Sequence, residues 1–151
     1  MKIRTDYVTN SSSSSFVLGF NKYEDIADSM KNELPSYWRD DIIQDVISDV
    51  ESGITSKEDA IKFYKDHIDT YFIRFNGKVG WELSKEERES QEYKTFIQQI
   101  IDGRSKEFAE SLNEYEVISI VEYEDCTDLG SKLEHDVMPC LGCTIQRISH
   151  H

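Results

Sequence analysis

Tyr115-Glu116-Val117-Ile118-Ser119-Ile120-Val121-Glu122-Tyr123 is the stretch that decides the fold. Successive residues of a strand point to opposite faces, so Val117, Ile118, Ile120 and Val121 make this segment apolar on both sides. Such a strand is expected in the middle of a sheet with both faces covered. The remainder of the chain must supply its neighbours and its cover.

Working outward, further strands read at three places. Phe16-Val17-Leu18-Gly19-Phe20 is a short apolar run, directly after five serines. Tyr71, Ile73 and Phe75 alternate, Asn76-Gly77 follows, and Val79, Trp81 and Leu83 alternate again. Asn-Gly tolerates the positive φ angles of a type I′ turn, so a central hairpin is expected over 70–83. A last strand reads from Thr144 to His150.

The cover is helical. Ile26, Met30 and Leu34 recur every four residues until Pro35, which lacks an N–H and breaks the pattern. Ile42, Ile43, Val46, Ile47 and Val50 form one face of a second helix, and Gly53 is placed to stop it. Thr55-Ser56-Lys57-Glu58 resembles a capping box, opening a third helix with Ile61, Tyr64 and Ile68. Ser84-Lys85-Glu86-Glu87 is a second such box, opening the longest helix, in which Gly103 is a candidate kink. Leu129, Leu133 and Val137 form a short helix ending at Pro139.

This order of elements lacks the strict alternation of a doubly wound fold. It predicts an α+β class: a small, mostly antiparallel sheet with helices packed against it. One domain over 1–151 is expected, with 1–15 a flexible or edge segment.

Charge then removes several partners. The 151 residues carry 30 acidic and 17 basic side chains, a net charge of −13. Nucleic acid is not an expected partner, because phosphate binding draws on Lys and Arg to displace counterions. Anionic membrane surfaces are disfavoured for the same reason. No segment approaches the ~20 apolar residues of a membrane helix. Three cysteines, an odd number, argue against a closed disulfide framework, so the cytoplasm is the expected compartment.

The reactive groups gather near the C-terminus: Cys126, His135, Cys140, Cys143, His150 and His151. Cys140-Leu141-Gly142-Cys143 is a C-x-x-C, whose two thiolates can share one ion. Zinc takes four such ligands in a tetrahedron. His150 or His151 would be the third and His135 or Cys126 the fourth. Against this, the ordinary reading of Cys140 and Cys143 is as small apolar residues flanking a turn at Leu141-Gly142. A thioredoxin-like pair would open a helix, whereas this one precedes a strand. Glu134-His135-Asp136 sets a His between carboxylates, but adjacent helical residues do not face each other. Asp41, Asp45 and Asp49 read as a solvated helix face.

Asn10, Ser11, Ser12, Ser13, Ser14 and Ser15 form the only low-complexity stretch. Such a run is ordinarily flexible, and it is also a candidate recognition segment through its hydroxyls and backbone N–H groups. Lys2-Ile3-Arg4-Thr5-Asp6-Tyr7-Val8-Thr9-Asn10, the serine run and Phe16 resemble the opening of a group of bacterial proteins, mainly from anaerobic Gram-positive species. The ending Ile145 to His151 is similar to members that close on Ser-His-His. That group has no established activity, so the resemblance carries over no catalytic residue.

Two functions are therefore expected as alternatives. One is a non-catalytic interaction module with a protein partner or self-association. The other is a zinc-binding protein, with or without catalysis, using Cys140, Cys143, His135, His150 and His151.

Overall fold

A computed structural model describes residues 12–150. Four strands form one antiparallel sheet in the order β2-β3-β1-β4. They are β1 (Ser13–Phe20), β2 (Ile54–Thr55), β3 (Val117–Glu124) and β4 (Thr144–His150). The α+β class with an antiparallel sheet is thus the observed one. β3 is internal, as its two apolar faces require.

β1 is the strand flanked on both sides along its length. Ser13 pairs with Glu124 of β3 and His150 of β4, and Phe16 pairs with Val121 and Arg147. Ser13, Ser14 and Ser15 are therefore the opening of a central strand, not a flexible or edge segment. Both of their backbone sides are bound in ladders, and Ser14 and Ser15 are buried. Asn10 and Ser11 lie outside the described residues, as does His151.

Two helical layers cover the sheet. On one face Phe16, Leu18 and Phe20 meet Ile26 and Met30 of α1 (Asp25–Glu33) and Val46, Ile47 and Val50 of α2 (Asp40–Ser52). On the other, Val17, Ile118 and Ile148 meet Ala60 of α3 (Lys57–Asp66) and Phe108 and Leu112 of α5 (Gln91–Leu112). Pro35 lies between α1 and α2, and Gly53 closes α2 by donating its N–H to the Asp49 and Val50 carbonyls.

Several boundaries differ from the sequence reading. Ser56, not Thr55, caps α3 by accepting from the Asp59 N–H. The Ser84–Glu87 capping box is present, yet it opens only α4 (Lys85–Glu89). The long α5 starts from its own cap, Ser90, whose hydroxyl accepts from the Tyr93 N–H. α5 runs through Gly103 without a break.

The hairpin over 70–83 is the main correction. Asn76 and Gly77 do take positive φ, 49° and 78°, and Phe75 and Lys78 exchange backbone bonds across the turn. The ladder stops after that one pair. The Val79 N–H is captured by the Glu82 carboxylate, and Gly80–Glu82 winds into a 3-10 turn. Phe75 packs on Tyr93 and Phe96 of α5, at ring separations of 5.3 and 5.1 Å. The alternation of Tyr71 to Leu83 thus serves a folded loop against a helix. A two-stranded ribbon with no sheet to join has little stability of its own.

Candidate functional site

The segment after β3 builds the most polar part of the interior. The Thr127 hydroxyl accepts from the Gly130 N–H and starts α6 (Asp128–Lys132). The chain then widens into a single π turn, Leu133–Val137, and continues through a 3-10 turn, Met138–Cys140, that contains Pro139 near its start. Such turns add a residue to the helical circuit and re-aim side chains. Here Leu133, Glu134, Val137 and Met138 are all buried.

Glu134 is the exception among them in chemistry, a carboxylate only 1% exposed. Its oxygens accept from the Ser12 hydroxyl at 3.0 and 3.2 Å and from the Ser14 hydroxyl at 2.9 Å. Arg147 Nη2 lies 3.6 Å away, and Arg147 Nε donates to Ser14 Oγ at 3.1 Å. The guanidinium also sits 5.9 Å from the centroid of the Phe16 ring. Charge, hydroxyls and a cation thus compensate a group that is costly to bury alone.

One side of this network is open. Asp125 Oδ2 is 3.1 Å from Ser12 Oγ, and His135 Nε2 is 3.5 Å from Glu134 Oε2. Although Glu134 is buried and its neighbour His135 exposed, their side-chain ends meet at the surface of the π turn. Donor atoms of Asp125, Glu134 and His135 all lie within 4.8 Å of one another.

The cysteines take no part in that cluster. Cys143 is buried in the apolar core beside Leu141, and Cys140 is exposed. Burial pushes the Cys143 thiol up to about 12, with the Glu33 carboxylate adding to the effect. That opposes the thiolate that zinc or a redox pair needs.

His150 lies on the opposite face from His135. Its Nε2 is 2.8 Å from Ser15 Oγ, and its ring meets the His67 ring edge-on at 5.2 Å. His67 donates Nδ1–H to the Phe63 carbonyl at 2.7 Å. Strand alternation explains the division: Ser12 and Ser14 share the Phe16 face, whereas Ser15 shares the Val17 face. Ser15 and His150 have the spacing of a nucleophile and base, but Ser15 is 1% exposed beneath the helices.

A second feature is an exposed aromatic cluster on the 70–83 loop. Tyr71, Phe72 and Trp81 are 53%, 66% and 49% exposed and pack on one another, with ring centroids 5.1–5.8 Å apart. Phe72 also lines a cleft of about 260 Å³ along β4, with Tyr64, His67 and Arg104.

Sequence reasoning weighed Glu134 beside His135 and set the pair aside, and it did not find Asp125, Arg147, His67 or the aromatic cluster. Glu134 shares the helical face of Leu133, Val137 and Met138, so its spacing places it among core residues, and it was passed over because a carboxylate is not expected at a core position. The division of the serines was legible, since Ser12 and Ser14 are in phase with Phe16 and Leu18. No described helix is long and apolar enough to cross a membrane. Comparison with protein families, curated proteins and solved structures finds no match for this chain.

Proposed function

We propose that this chain is a non-catalytic binding module of the cytoplasm that recognises a protein partner. The observation that carries the reading is the Tyr71–Phe72–Trp81 cluster. Three large rings held against one another in solvent forgo the gain of burial, and grouped apolar exposure of this kind marks interaction surfaces. Tyr and Trp supply most of the energy at such surfaces through large rigid contacts. The free thiols Cys126, Cys140 and Cys143 agree with a reducing compartment.

The test is retention of partners from a bacterial extract by the wild-type chain and by the Phe72→Ala/Trp81→Ala double variant. Both side chains are exposed, so the variant is expected to keep its circular dichroism and melting temperature. Partners held by the wild type and lost by the variant are the expected result. Equal retention would sink the reading.

A second reading rests on Asp125, Glu134 and His135, which offer two carboxylates and an imidazole to a divalent cation. That donor set suits zinc or manganese better than a soft metal. It replaces the cysteine-based arrangement while keeping His135. Isothermal titration with Zn²⁺ and Mn²⁺ tests it, with His135→Ala as the control. No heat of binding, or equal heats from both proteins, would dispose of it.

A further inference from the structure

Two histidines meet where α3 ends beside the last strand. His67 follows the final residue of α3, and His150 closes β4. Their ring centroids are 5.2 Å apart and their planes cross at 78°. Each ring is held through one of its nitrogens. The His67 Nδ1–H donates to the Phe63 carbonyl at 2.7 Å, and the ring packs on that of Phe63 at 4.3 Å. A carbonyl only accepts, so Nδ1 carries the proton and Nε2 keeps a lone pair. His150 Nε2 lies 2.8 Å from Ser15 Oγ, which leaves Nδ1 for another partner.

This is the state in which imidazole binds a metal. A ligating His is neutral, and its second nitrogen is anchored by a protein group that fixes the tautomer and the ring. The separation also suits a shared ion. A Zn–N bond of about 2.05 Å, with the nitrogen about 1.15 Å from its ring centroid, puts each centroid about 3.2 Å from the metal. Two such rings at a tetrahedral angle have centroids about 5.2 Å apart. His67 is exposed and opens on the cleft along β4, where Arg104 and Asp69 offset one another. Water therefore has access to the remaining coordination positions. Two nitrogen donors suit zinc, nickel or copper, whereas magnesium and calcium take oxygen.

We propose that His67 Nε2 and His150 Nδ1 share one divalent ion of the zinc class. The ion ties the end of α3 to the strand that closes one side of β1. It depends neither on the aromatic surface nor on Asp125, Glu134 and His135, which gather on the opposite face of the sheet.

The test is calorimetric titration of the untagged His135→Ala chain with Zn²⁺, a background that lacks the imidazole of the other cluster. One ion per chain is expected, bound at least about tenfold more weakly once His67→Ala is added. His67→Asn keeps a donor for the Phe63 carbonyl without the ligating nitrogen, and should weaken binding as much. Mg²⁺ should give no heat. With Zn²⁺ a hundredfold above Kd, the melting temperature should rise by about 5–10 °C, because the ion holds only the folded arrangement. Nitrogen-15 NMR should place the ion on His67 Nε2 and His150 Nδ1. No binding in the His135→Ala background, or equal binding after both His67 substitutions, would overturn the proposal. So would nitrogen shifts at His150 without any at His67, which would assign the ion to the chain end alone.

Discussion

At the scale of single residues, Glu134 and Cys143 show how burial sets chemistry. Glu134 holds together three distant parts of the chain: Ser12 and Ser14 at the start of β1, Arg147 in β4, and the π turn. Glu134→Ala would leave the Ser14 hydroxyl without its carboxylate acceptor and Arg147 without its anion, while Ser12 keeps Asp125. The expected loss is about 2–4 kcal/mol in urea unfolding, since removing one partner of a buried pair costs more than the pair itself contributes. Glu134→Gln keeps the shape and one acceptor and should lose only about 1–2 kcal/mol. An Ala variant as stable as wild type would show that the network is incidental. Cys143 yields a pH prediction. Its thiol is raised from 9.0 to about 12 in the fold. The folded state therefore holds a proton that the unfolded chain releases between those values. Stability from this group is full below pH about 9 and declines as pH rises toward 12. Tyr123, half-buried and beside Asp49, is shifted in the same direction, first by desolvation and then by that carboxylate. Urea midpoints should fall between pH 8 and pH 11, and less steeply in Cys143→Ala. At pH 8 a thiol reagent should modify Cys126 and Cys140 in the native protein, and Cys143 only after unfolding.

At the scale of elements, the glycines separate two roles that sequence alone does not distinguish. Gly103 lies on an exposed turn of α5, where an added Cβ would meet nothing within 4 Å. Gly103→Ala should stabilise the protein by about 0.5–1 kcal/mol, because glycine loses the most backbone freedom on entering a helix. Gly53 follows α2 and packs against β3, where a Cβ would collide with the Ile120 carbonyl oxygen. Gly53→Ala should therefore destabilise, by about 1–3 kcal/mol for an overpacked site. Opposite signs in thermal melts would support the assignment; equal signs would contradict it. The same contrast explains what the sequence made legible. α1, α2 and β3 were readable because each carries an apolar pattern that its packing uses directly. The 70–83 segment was misread because its alternation is real but is satisfied by Tyr93 and Phe96 of α5. Glu134 was overlooked because a carboxylate is not expected inside, although its spacing from Leu133, Val137 and Met138 is that of a buried helical face. The cysteines misled because C-x-x-C spacing carries no information about which thiol enters the core.

At the scale of the whole molecule, the sheet is assembled from segments far apart in the chain. β1 obtains its two neighbours from residues 117–124 and 144–150. Neither ladder can form until most of the chain is present, which places this fold among those dominated by non-local pairing. β4 then contributes more than its seven residues suggest. It closes one side of β1, brings Ile148 into the core beside Val17, and carries Arg147, whose guanidinium lies 3.6 Å from Glu134. A chain ending at Cys143 would leave β1 as an unpaired edge and Glu134 as a buried anion without Arg147. It should lose its cooperative thermal transition while keeping much of its helical circular dichroism, since α1, α2 and α5 retain their own backbone bonds. Adding a peptide of residues 143–151 in trans should restore the transition, because the missing strand has a preformed ladder to join. A truncated chain that melts as sharply as the full one would show that β4 only decorates the edge. In that case the Glu134–Arg147 pair would not have the structural role assigned to it.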